Sequence, residues 1–275
     1  MSVSFKVVIP ARYASTRLPA KPLADIGGLP MIVRVVRQAL AAGADEVVVA
    51  TDDERVAAAV QAAGHVAAMT RSDHASGSDR VMEVVTARGW ADDTLVLNVQ
   101  GDEPLLPPAV IVALAAAMAA QPDVPVGTLC ERLPESTLLF DPNVVKVVRD
   151  DRSRALYFSR APIPYARDAF AADGVAAVHG ALRAPDRLAE SVAWFRHIGM
   201  YAYRVHALRQ FVEWPPGRLE QIESLEQLRL LEHGVPLLVV DTPLPVPGGV
   251  DTPADLARVR ALVSAQPLVS TQTHG

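Results

Sequence analysis

The chain has 275 residues, of which 50% are hydrophobic, and a formal net charge of −5. That length can bury one large α/β core or two smaller ones, and the acidic balance argues against a general nucleic-acid-binding protein, whose binding face would be basic. The single cysteine, Cys130, excludes an intrachain disulfide framework and a cysteine-cluster metal site. Because the N-terminus shows no signal-peptide pattern and no apolar run reaches the ~20 residues that a membrane span needs, we expect a cytoplasmic protein without membrane insertion.

The first hundred residues alternate between strand and helix patterns. Runs of β-branched residues predict strands at Phe5–Ile9, Glu46–Ala50, His65–Met69 and Thr94–Val99. Helical patterns that close on a glycine lie between these strands, at Pro30–Gly43, Asp53–Gly64 and Ser78–Gly89. The continuous apolar character of the strands and the βαβα order predict a doubly wound, mostly parallel sheet with helices on both faces.

The pattern changes after Pro122. Strand patterns then follow one another with few helices between them, which indicates mixed or antiparallel additions, at Pro125–Cys130, Asn143–Asp150, Arg154–Arg160 and His197–Val205. Helical patterns return at Leu208–Trp214, Leu219–Gly234 and Thr252–Ala265. We expect Asp168–Ser191 and the tail 266–275 to be flexible. We predict a single domain over residues 1–265, with parts at about 1–125, about 126–250 and 251–265.

The loop after the first predicted strand carries three cations. Arg12, Arg17 and Lys21 lie in the stretch IPARYASTRLPAKPL. The chain has neither a G-x-G-x-x-G dinucleotide fingerprint nor a G-x-x-x-x-G-K-[ST] motif. Guanidinium forks and an ammonium group on such a loop are suited to a triphosphate. The alternative is an ordinary solvated basic loop, because charged residues usually lie at the surface.

The stretch LNVQGDEPLLPP, Leu97–Pro108, places polar residues directly after an apolar strand. Open α/β sheets bind ligands at this carboxyl edge, where Gly101 permits close backbone approach and Asp102 offers a carboxylate. Mg²⁺ prefers carboxylate oxygens and is often held by one or two of them together with substrate phosphates. The alternative is a turn built from residues that favour turns.

The stretch PGGVDTPADL, Pro247–Leu256, contains a candidate second carboxylate. Thr252, with Pro253 next and Asp255 three residues on, fits the N-cap of a helix. If Thr252 is the cap, Asp251 is free to join Asp102 in holding a metal. In the alternative, Asp251 is itself the cap.

Seven stretches resemble one family in sequence and in order. They are VVIPARYASTRLPAKPL, MTRSDHASGSDR, VLNVQGDEPLLP, ALYFSRAPIP, RHIGMYAYR, LEQIESLEQLR and VDTPADLARVR. Together they are similar to the 3-deoxy-manno-octulosonate cytidylyltransferases, also called CMP-KDO synthetases, over about Val7–Leu262. The chain departs from that pattern at Ala20, where relatives often have glycine, and in PGRLEQIE, which replaces a more usual Ser-Pro-Leu-Glu.

The resemblance implies a Rossmann-like nucleotide-diphospho-sugar transferase fold and a homodimer in the bacterial cytoplasm. Such an enzyme would transfer CMP from CTP to the anomeric hydroxyl of 3-deoxy-D-manno-octulosonate (KDO), with Mg²⁺ as cofactor, and release pyrophosphate and CMP-KDO for lipopolysaccharide synthesis. Residues 1–125 would bind the nucleotide, residues 126–250 would bind the sugar and a second subunit, and residues 251–265 would form a closing helix. The alternatives are a cytidylyltransferase for sialic acid or 8-amino-KDO, and a catalytically silent nucleotide-binding regulator.

The same resemblance implies the roles of individual residues. The catalytic set would be Arg12, Lys21, Asp102 and Asp251, the last two being the metal ligands. The nucleotide-binding set would be Pro10, Ala11, Arg12, Arg17, Lys21, Thr70, Arg71, Ser76, Gly77, Ser78, Gln100 and Asp102. The three cations of the loop would hold the triphosphate, and Thr70, Arg71 and the segment from Ser76 to Asp79 would help to form the cytidine pocket.

The implied sugar-binding set is Gln100, Arg160, His197, Tyr201, Glu220 and Glu223. Arg160 is the choice for the KDO carboxylate, because a guanidinium fork binds a carboxylate bidentately. His197 and Tyr201 would reach sugar hydroxyls from one face of a strand. The alternatives are a surface role for Arg160, a satisfied half-buried His197, and glutamates that the helix dipole favours at a helix start.

Overall fold

A computed structural model describes residues 3–14, 17–133, 136–167 and 194–265 of the chain. These residues divide into two units. The first unit comprises the described residues of Lys6–Arg88, Val99–Pro108 and Val246–Gly275, and the second those of Met1–Phe5, Gly89–Asn98 and Ala109–Pro245. The predicted flexible segment Asp168–Ser191 and the tail 266–275 lie outside the described residues, and the bounds of the single domain stay a prediction.

The elements are numbered here in chain order over the described residues. The strands are β1 (Lys6–Ala11), β2 (Asp25–Ile26), β3 (Leu29–Pro30), β4 (Glu46–Thr51), β5 (Val66–Met69), β6 (Leu95–Asn98), β7 (Val126–Arg132), β8 (Lys146–Arg149), β9 (Ala155–Ser159), β10 (Phe195–Arg204) and β11 (Leu237–Asp241). The α-helices are α1 (Met31–Ala41), α2 (Glu54–Ala62), α3 (Gly77–Arg88), α4 (Pro108–Ala120), α5 (Val205–Glu213), α6 (Arg218–Glu223), α7 (Leu228–Glu232) and α8 (Pro253–Ala265). Short 3₁₀ turns occupy Lys21–Leu23 and Ser136–Leu139.

The first unit contains the predicted parallel strands. β4 pairs in parallel with β1 on one side and with β5 on the other, and β1 and β4 are almost wholly buried. Positive-φ glycines follow α1, α2 and α3, at Gly43, Gly64 and Gly89, which confirms the predicted glycine stops. Pro30 was expected to open the first helix, but its extended backbone (ψ 141°) makes it the residue before α1 instead.

The second unit contains the predicted mixed sheet. Its strands lie in the order β11-β7-β10-β6, with β8 pairing β10 and β9 pairing β8. β10 is antiparallel to β6, β7 and β8, whereas β11 is parallel to β7. The change of strand direction after Pro122 is therefore as the sequence predicted.

Two helical segments differ from the prediction. The pattern over Leu219–Gly234 forms two short helices, α6 and α7, because Ser224 adopts a left-handed conformation (φ 51°) that ends the first of them. Helix α4 was not predicted from the sequence. That helix is apolar on nearly all sides, so its sequence shows no contrast between faces for periodicity to detect. Among the described residues, no helix is long and apolar enough to cross a membrane.

Ala20 provides a test of local backbone strain. It has φ 55° and ψ 27° at the start of the 3₁₀ turn, in the left-handed region that disfavours a Cβ by ~1–2 kcal/mol. Ala20→Gly removes that strain but makes the unfolded chain more flexible, so we expect the free energy of unfolding to rise by about 0.5–1 kcal/mol. Ala24→Gly, at φ −56°, is the matched control, and urea denaturation should show it to be destabilised. A loss of stability in Ala20→Gly would contradict the strain argument.

Candidate active site

A cavity of about 440 Å³ opens in the first unit at the carboxyl ends of its strands. It is lined by Pro10, Ala11, Arg12, Ala14, Arg17, Lys21, Pro22, Gly77, Gln100, Gly101, Asp102 and Asp251. The segment that follows β6 is brought to this edge by a hydrogen bond from the Val99 amide to the Val8 carbonyl (3.1 Å). All three cations of the loop therefore share one cavity with both candidate metal carboxylates.

Lys21 connects the two carboxylates. Its Nζ donates to Asp102 Oδ2 at 2.7 Å and to Asp251 Oδ1 at 3.1 Å, and the Arg17 guanidinium donates to the same Asp251 oxygen at 3.1 Å. Burial lowers the pKa of Lys21, but the charge of Asp102 and the hydrogen bonds that Lys21 donates to both aspartates outweigh that effect and leave the pKa raised. Asp102 and Asp251, far apart in sequence, thus meet at one nitrogen atom.

The backbone holds Asp251 in this position. The Val250 amide donates to the Asp102 carbonyl at 2.9 Å, which joins the two segments directly. Val250 also belongs to a buried apolar cluster with residues of α1 and α8. Thr252 caps α8 reciprocally, because its Oγ1 accepts from the Asp255 amide (3.2 Å) while Asp255 Oδ2 accepts from the Thr252 amide (3.0 Å). The prediction that Thr252 is the cap is confirmed, and the Asp251 carboxylate is left to the cavity.

Gly101 is required by close backbone approach. A Cβ built on it would lie 2.7 Å from the Pro10 carbonyl oxygen, a distance at which the backbone must move. The Pro10 and Gly101 segments can therefore meet only if position 101 has no side chain.

Arg12 extends from the loop toward the segment that precedes α3. Its guanidinium donates to the His74 carbonyl at 2.8 Å, and the His74 ring is itself bound to Glu83 of α3. At the start of α3, Ser76 and Asp79 form a second reciprocal cap, with the Ser76 amide donating to Asp79 Oδ2 (2.8 Å) and the Asp79 amide to Ser76 Oγ (3.2 Å). This cap sets the position of Gly77, which lines the cavity.

The other predicted cytidine residues make contacts outside the cavity lining. Thr70 is buried, donates to the Thr51 carbonyl (3.0 Å) and accepts from the fully buried Arg80, which also pairs with Asp52 at 2.9 Å. Arg71 is exposed and binds Asp73. Ser76 and Ser78 lie at the α3 N-terminus, where Ser78 is buried. Their nucleotide-binding roles stay predictions.

Two carboxylates that share one cation form a donor set that fits Mg²⁺. Magnesium sites in nucleotide enzymes commonly use one or two carboxylates, with substrate phosphates and water completing the coordination shell. The described residues contain no group of three or more His, Cys, Asp or Glu side chains able to hold a metal by themselves. The set is therefore suited to a metal that arrives with a phosphate ligand.

Comparison with known proteins identifies the family. The cytidylyltransferase family model matches residues 6–237. Curated 3-deoxy-manno-octulosonate cytidylyltransferases from Alcanivorax borkumensis (53% identity; 96% of this chain and 100% of the relative) and Stenotrophomonas maltophilia K279a (52%; 94% and 96%) align over nearly the full chain. The chain belongs to the 3-deoxy-manno-octulosonate cytidylyltransferase family.

Solved structures agree with this assignment. The structure of a CMP:2-keto-3-deoxy-manno-octonic acid synthetase complexed with CTP is similar at a TM-score of 0.82 and 44% identity, over 95% of this chain and 99% of that chain. A nucleotidyl transferase from Methanothermobacter, 16% identical over 95% of this chain and 98% of that chain with a TM-score of 0.54, shares the fold alone. The predicted Rossmann-like nucleotidyltransferase fold, with a mostly parallel sheet and a mixed addition, is confirmed.

The family's expected sugar residues lie in the second unit, apart from Gln100, and several have protein partners. The Arg160 guanidinium donates to the carbonyls of Glu223 (2.7 Å), Pro142 (2.8 Å) and Ser224 (3.2 Å), while its amide donates to Glu223 Oε2 at 3.0 Å. Glu223 Oε1 accepts from Ser159 Oγ at 2.6 Å. Arg160 and Glu223 therefore contact each other. To bind a sugar carboxylate, the Arg160 guanidinium would have to give up some of its hydrogen bonds to backbone carbonyls.

Glu220 is held more firmly than Glu223. Arg229 binds it bidentately, at 2.7 and 2.6 Å, and it also accepts from the Gly217 amide at 2.9 Å. Both side chains of this ion pair are largely buried, and the Arg229 guanidinium adds two contacts to backbone carbonyls. These contacts fix the start of α6, and a role of Glu220 in sugar binding stays a prediction.

His197 and Tyr201 lie on one face of β10, as predicted. Their ring centroids are 5.5 Å apart, and Phe158 packs edge-on to His197 at 4.9 Å. Burial lowers the pKa of His197 to about 3, so the imidazole is neutral, and its Nε2 lies 2.9 Å from Thr128 Oγ1. A neutral ring is suited to hydrogen bonds with hydroxyls rather than to binding a carboxylate.

Three lining residues, Gly101, Ala14 and Pro22, were absent from the predicted site sets, and of these only Gly101 had been singled out, for close backbone approach. Ala14 lies between Arg12 and Arg17 in the cationic loop and Pro22 follows Lys21, but a small apolar side chain carries no chemical signal that marks it as part of a site. Ala14 and Pro22 both form part of the cavity wall. Only the folded loop reveals that role.

Replacement of Gly101 by alanine tests the close approach. We expect Gly101→Ala to weaken CTP binding at least about tenfold, because a contact under 3 Å must displace the Pro10 or Gly101 segment and a displacement of 1 Å at a site is costly. Isothermal titration with CTP measures the effect. Gly248→Ala, whose Cβ would meet only the Arg258 side chain at 3.6 Å, should bind CTP as the parent chain does. Equal affinities for both variants would refute the argument.

Proposed function

We propose that the chain transfers CMP from CTP to the anomeric hydroxyl of KDO, giving CMP-KDO and pyrophosphate for lipopolysaccharide synthesis. The observation that carries the proposal is the meeting of Asp102, Asp251 and the cations of the loop in one cavity. Family membership supports the choice of CTP and KDO. The neighbouring structure in complex with CTP supports the nucleotide.

The loop supplies positive charge for the triphosphate. Arg12, Arg17 and Lys21 line the cavity, and guanidinium and ammonium groups are strong donors to phosphate oxygens. In the reaction the anomeric oxygen forms a bond to the α-phosphorus, the bond from that phosphorus to the bridging oxygen breaks, and the hydroxyl proton is released. Charge accumulates on the departing pyrophosphate, so the three cations stabilise the transition state more than the ground state.

We propose Mg²⁺ as the cofactor, with Asp102 and Asp251 as its protein ligands. A bound divalent ion supplies Lewis-acid stabilisation of phosphate oxygens and lowers the pKa of a coordinated hydroxyl. Lys21 and Arg17 hold the two carboxylates in the cavity and offset their mutual repulsion. On the acceptor side we propose Arg160, His197, Tyr201 and Glu223, together with Gln100, as the groups that orient the sugar.

We also propose a homodimer in the bacterial cytoplasm, and the family resemblance is what supports both. Sedimentation velocity of the purified chain measures the oligomeric state. A monomer throughout the micromolar range would contradict the first statement.

Pyrophosphate release tests the reaction directly. We expect release with CTP, Mg²⁺ and KDO, and far less with UTP in place of CTP. Asp102→Asn and Asp251→Asn should each lower kcat by at least about a hundredfold while weakening CTP binding less, because the lost charge acts mainly on the transition state. Asp45→Asn, a surface acid paired with Lys6 at 3.8 Å, is the matched control.

The results of the same assay separate the alternatives. Faster release with sialic acid or 8-amino-KDO than with KDO would assign another acceptor. CTP binding without Mg²⁺-dependent release from any of these acids would indicate a silent nucleotide-binding protein. An unchanged kcat in Asp102→Asn would remove Asp102 from the metal site.

Lys21 should compete with the metal when no nucleotide is bound, because its ammonium contacts both carboxylates. We expect Lys21→Met to bind Mn²⁺ about fivefold or more tightly in the absence of CTP, since a unit charge ~4 Å away costs about 1 kcal/mol even at the dielectric constant of water. Electron paramagnetic resonance of free Mn²⁺ measures the affinity. Lys21→Arg keeps the charge and should stay near the parent value. Equal Mn²⁺ affinity in the parent chain and Lys21→Met would exclude the competition.

A further inference from the structure

Tyr13 is inserted between two residues of the cavity wall. Arg12 and Ala14 both line the cavity, whereas Tyr13 is absent from its lining. The Tyr13 ring instead lies under the guanidinium of Arg55, with the carbon at its centre 3.5 Å from the ring centroid. A cation stacked at this distance on an aromatic face is attracted by the ring quadrupole.

The Arg55 guanidinium is held in place from the other side. Asp53 binds it bidentately, from Nε to Oδ1 at 3.0 Å and from one terminal nitrogen to Oδ2 at 2.7 Å. The same carboxylate caps α2 by accepting from the Arg55 amide at 2.9 Å. Hydrogen bonding to Arg55 is the main reason that the pKa of Asp53 is lowered, so the pair stays charged at neutral pH. The guanidinium therefore has a fixed orientation on a rigid helix end.

We propose that Arg55 is a positioning residue for the nucleotide, which acts by holding Tyr13 against the start of α2 and thereby fixing the direction in which Arg12 and Ala14 face the cavity. A chain running past the cavity with one residue anchored outward leaves the neighbours on either side facing inward. The inference rests on the proposed use of the cavity for the triphosphate. It adds to that function a residue that touches neither substrate nor metal.

The contact is suited to this role because of where it acts. Arg55 itself is 61% exposed in its side chain, so its removal creates no cavity in the core and exposes no buried charge. Its effect should therefore appear in the order of the loop rather than in the stability of the fold. A less ordered loop spends a smaller fraction of its time in the conformation that binds the nucleotide, and the affinity for the nucleotide falls with that fraction.

The test compares Arg55→Ala with the parent chain. We expect the dissociation constant of CTP, measured by calorimetry, to rise about two- to fivefold, the range that loss of an exposed cation–aromatic contact gives. We expect kcat for pyrophosphate release to change less than about twofold, because the residue acts on loop order before the chemical step. Hydrogen exchange should accelerate in the peptide that covers β1 and residues 12–14, and not in peptides from β4 or β7.

Substitutions at Tyr13 supply the conservative rescue. Tyr13→Phe retains the ring and loses only the hydroxyl, which hydrogen-bonds Arg55, so it should bind CTP more nearly as the parent chain does, whereas Tyr13→Leu should match Arg55→Ala. The double variant Arg55→Ala/Tyr13→Leu should bind CTP no more weakly than either single variant, since both remove one contact. Arg88→Ala, which removes another surface arginine paired with an acid, Glu46, is the control and should change neither CTP affinity nor loop exchange.

Several outcomes overturn the proposal. They are parent-like CTP affinity and exchange in Arg55→Ala, faster exchange throughout the first unit, or fully additive losses in the double variant. Calorimetry and exchange need no sugar acceptor, so these results stand even if pyrophosphate release fails. A chain that binds CTP through an ordered loop but releases no pyrophosphate would contradict the proposed reaction and leave the role of Arg55 intact.

Discussion

The arrangement of the first unit depends on one ammonium group shared by two carboxylates. Asp102 and Asp251 would repel each other at the distance that lets both bind Lys21 Nζ, and a cation between them offsets that repulsion. Lys21 and Arg17 supply that positive charge from within the chain. If a metal binds Asp102 and Asp251 as proposed, it would meet two carboxylates that are already close together, and Lys21 would become available to a phosphate. The negative charges of Asp102 and Asp251 would thus be offset in both states, by the Lys21 ammonium before the metal binds and by the metal afterwards.

Local rules in the sequence predicted the parts of the site that depend on short segments. Asp251 could be recognised because the Thr252–Asp255 pair satisfies the helix cap by itself, and Asp102 because it follows a buried strand directly. The backbone hydrogen bond from the Val250 amide to the Asp102 carbonyl could not be predicted, because it joins segments that are far apart in the chain. Capping and strand ends are local chemistry, whereas the meeting of segments is a property of the whole fold.

The same distinction explains where prediction failed. The pattern over Leu219–Gly234 predicted one continuous helix and did not show that Ser224 adopts a left-handed conformation. Helix α4 was missed because it is apolar on nearly all sides, so its sequence has no periodic contrast between faces. The sugar-binding roles of Arg160 and Glu220 stay predictions, and their sequence context carried no information on the protein groups that they contact. Arg229 binds Glu220, and its guanidinium also donates to the carbonyls of Phe211 and Trp214. Arg229 therefore stabilises the fold by joining the start of α6 to the end of α5.

The contacts around the cavity fall into two groups. Those that hold the fold together are strong, and those that a ligand must break in order to bind are weak. The scaffold is held by backbone hydrogen bonds, reciprocal caps and a buried apolar cluster, which cost several kcal/mol to disrupt together. The cations of the loop are held by contacts at least partly open to solvent, such as that of Arg12 with the His74 carbonyl and that of Arg17 with Asp251, and surface ion pairs are worth at most about 1 kcal/mol. A triphosphate can therefore take over the cations without loosening the strands and helix that present them. Under the proposed function, that separation of a rigid frame from exchangeable charges would let one small cavity hold an internal ammonium first and a metal with its nucleotide afterwards.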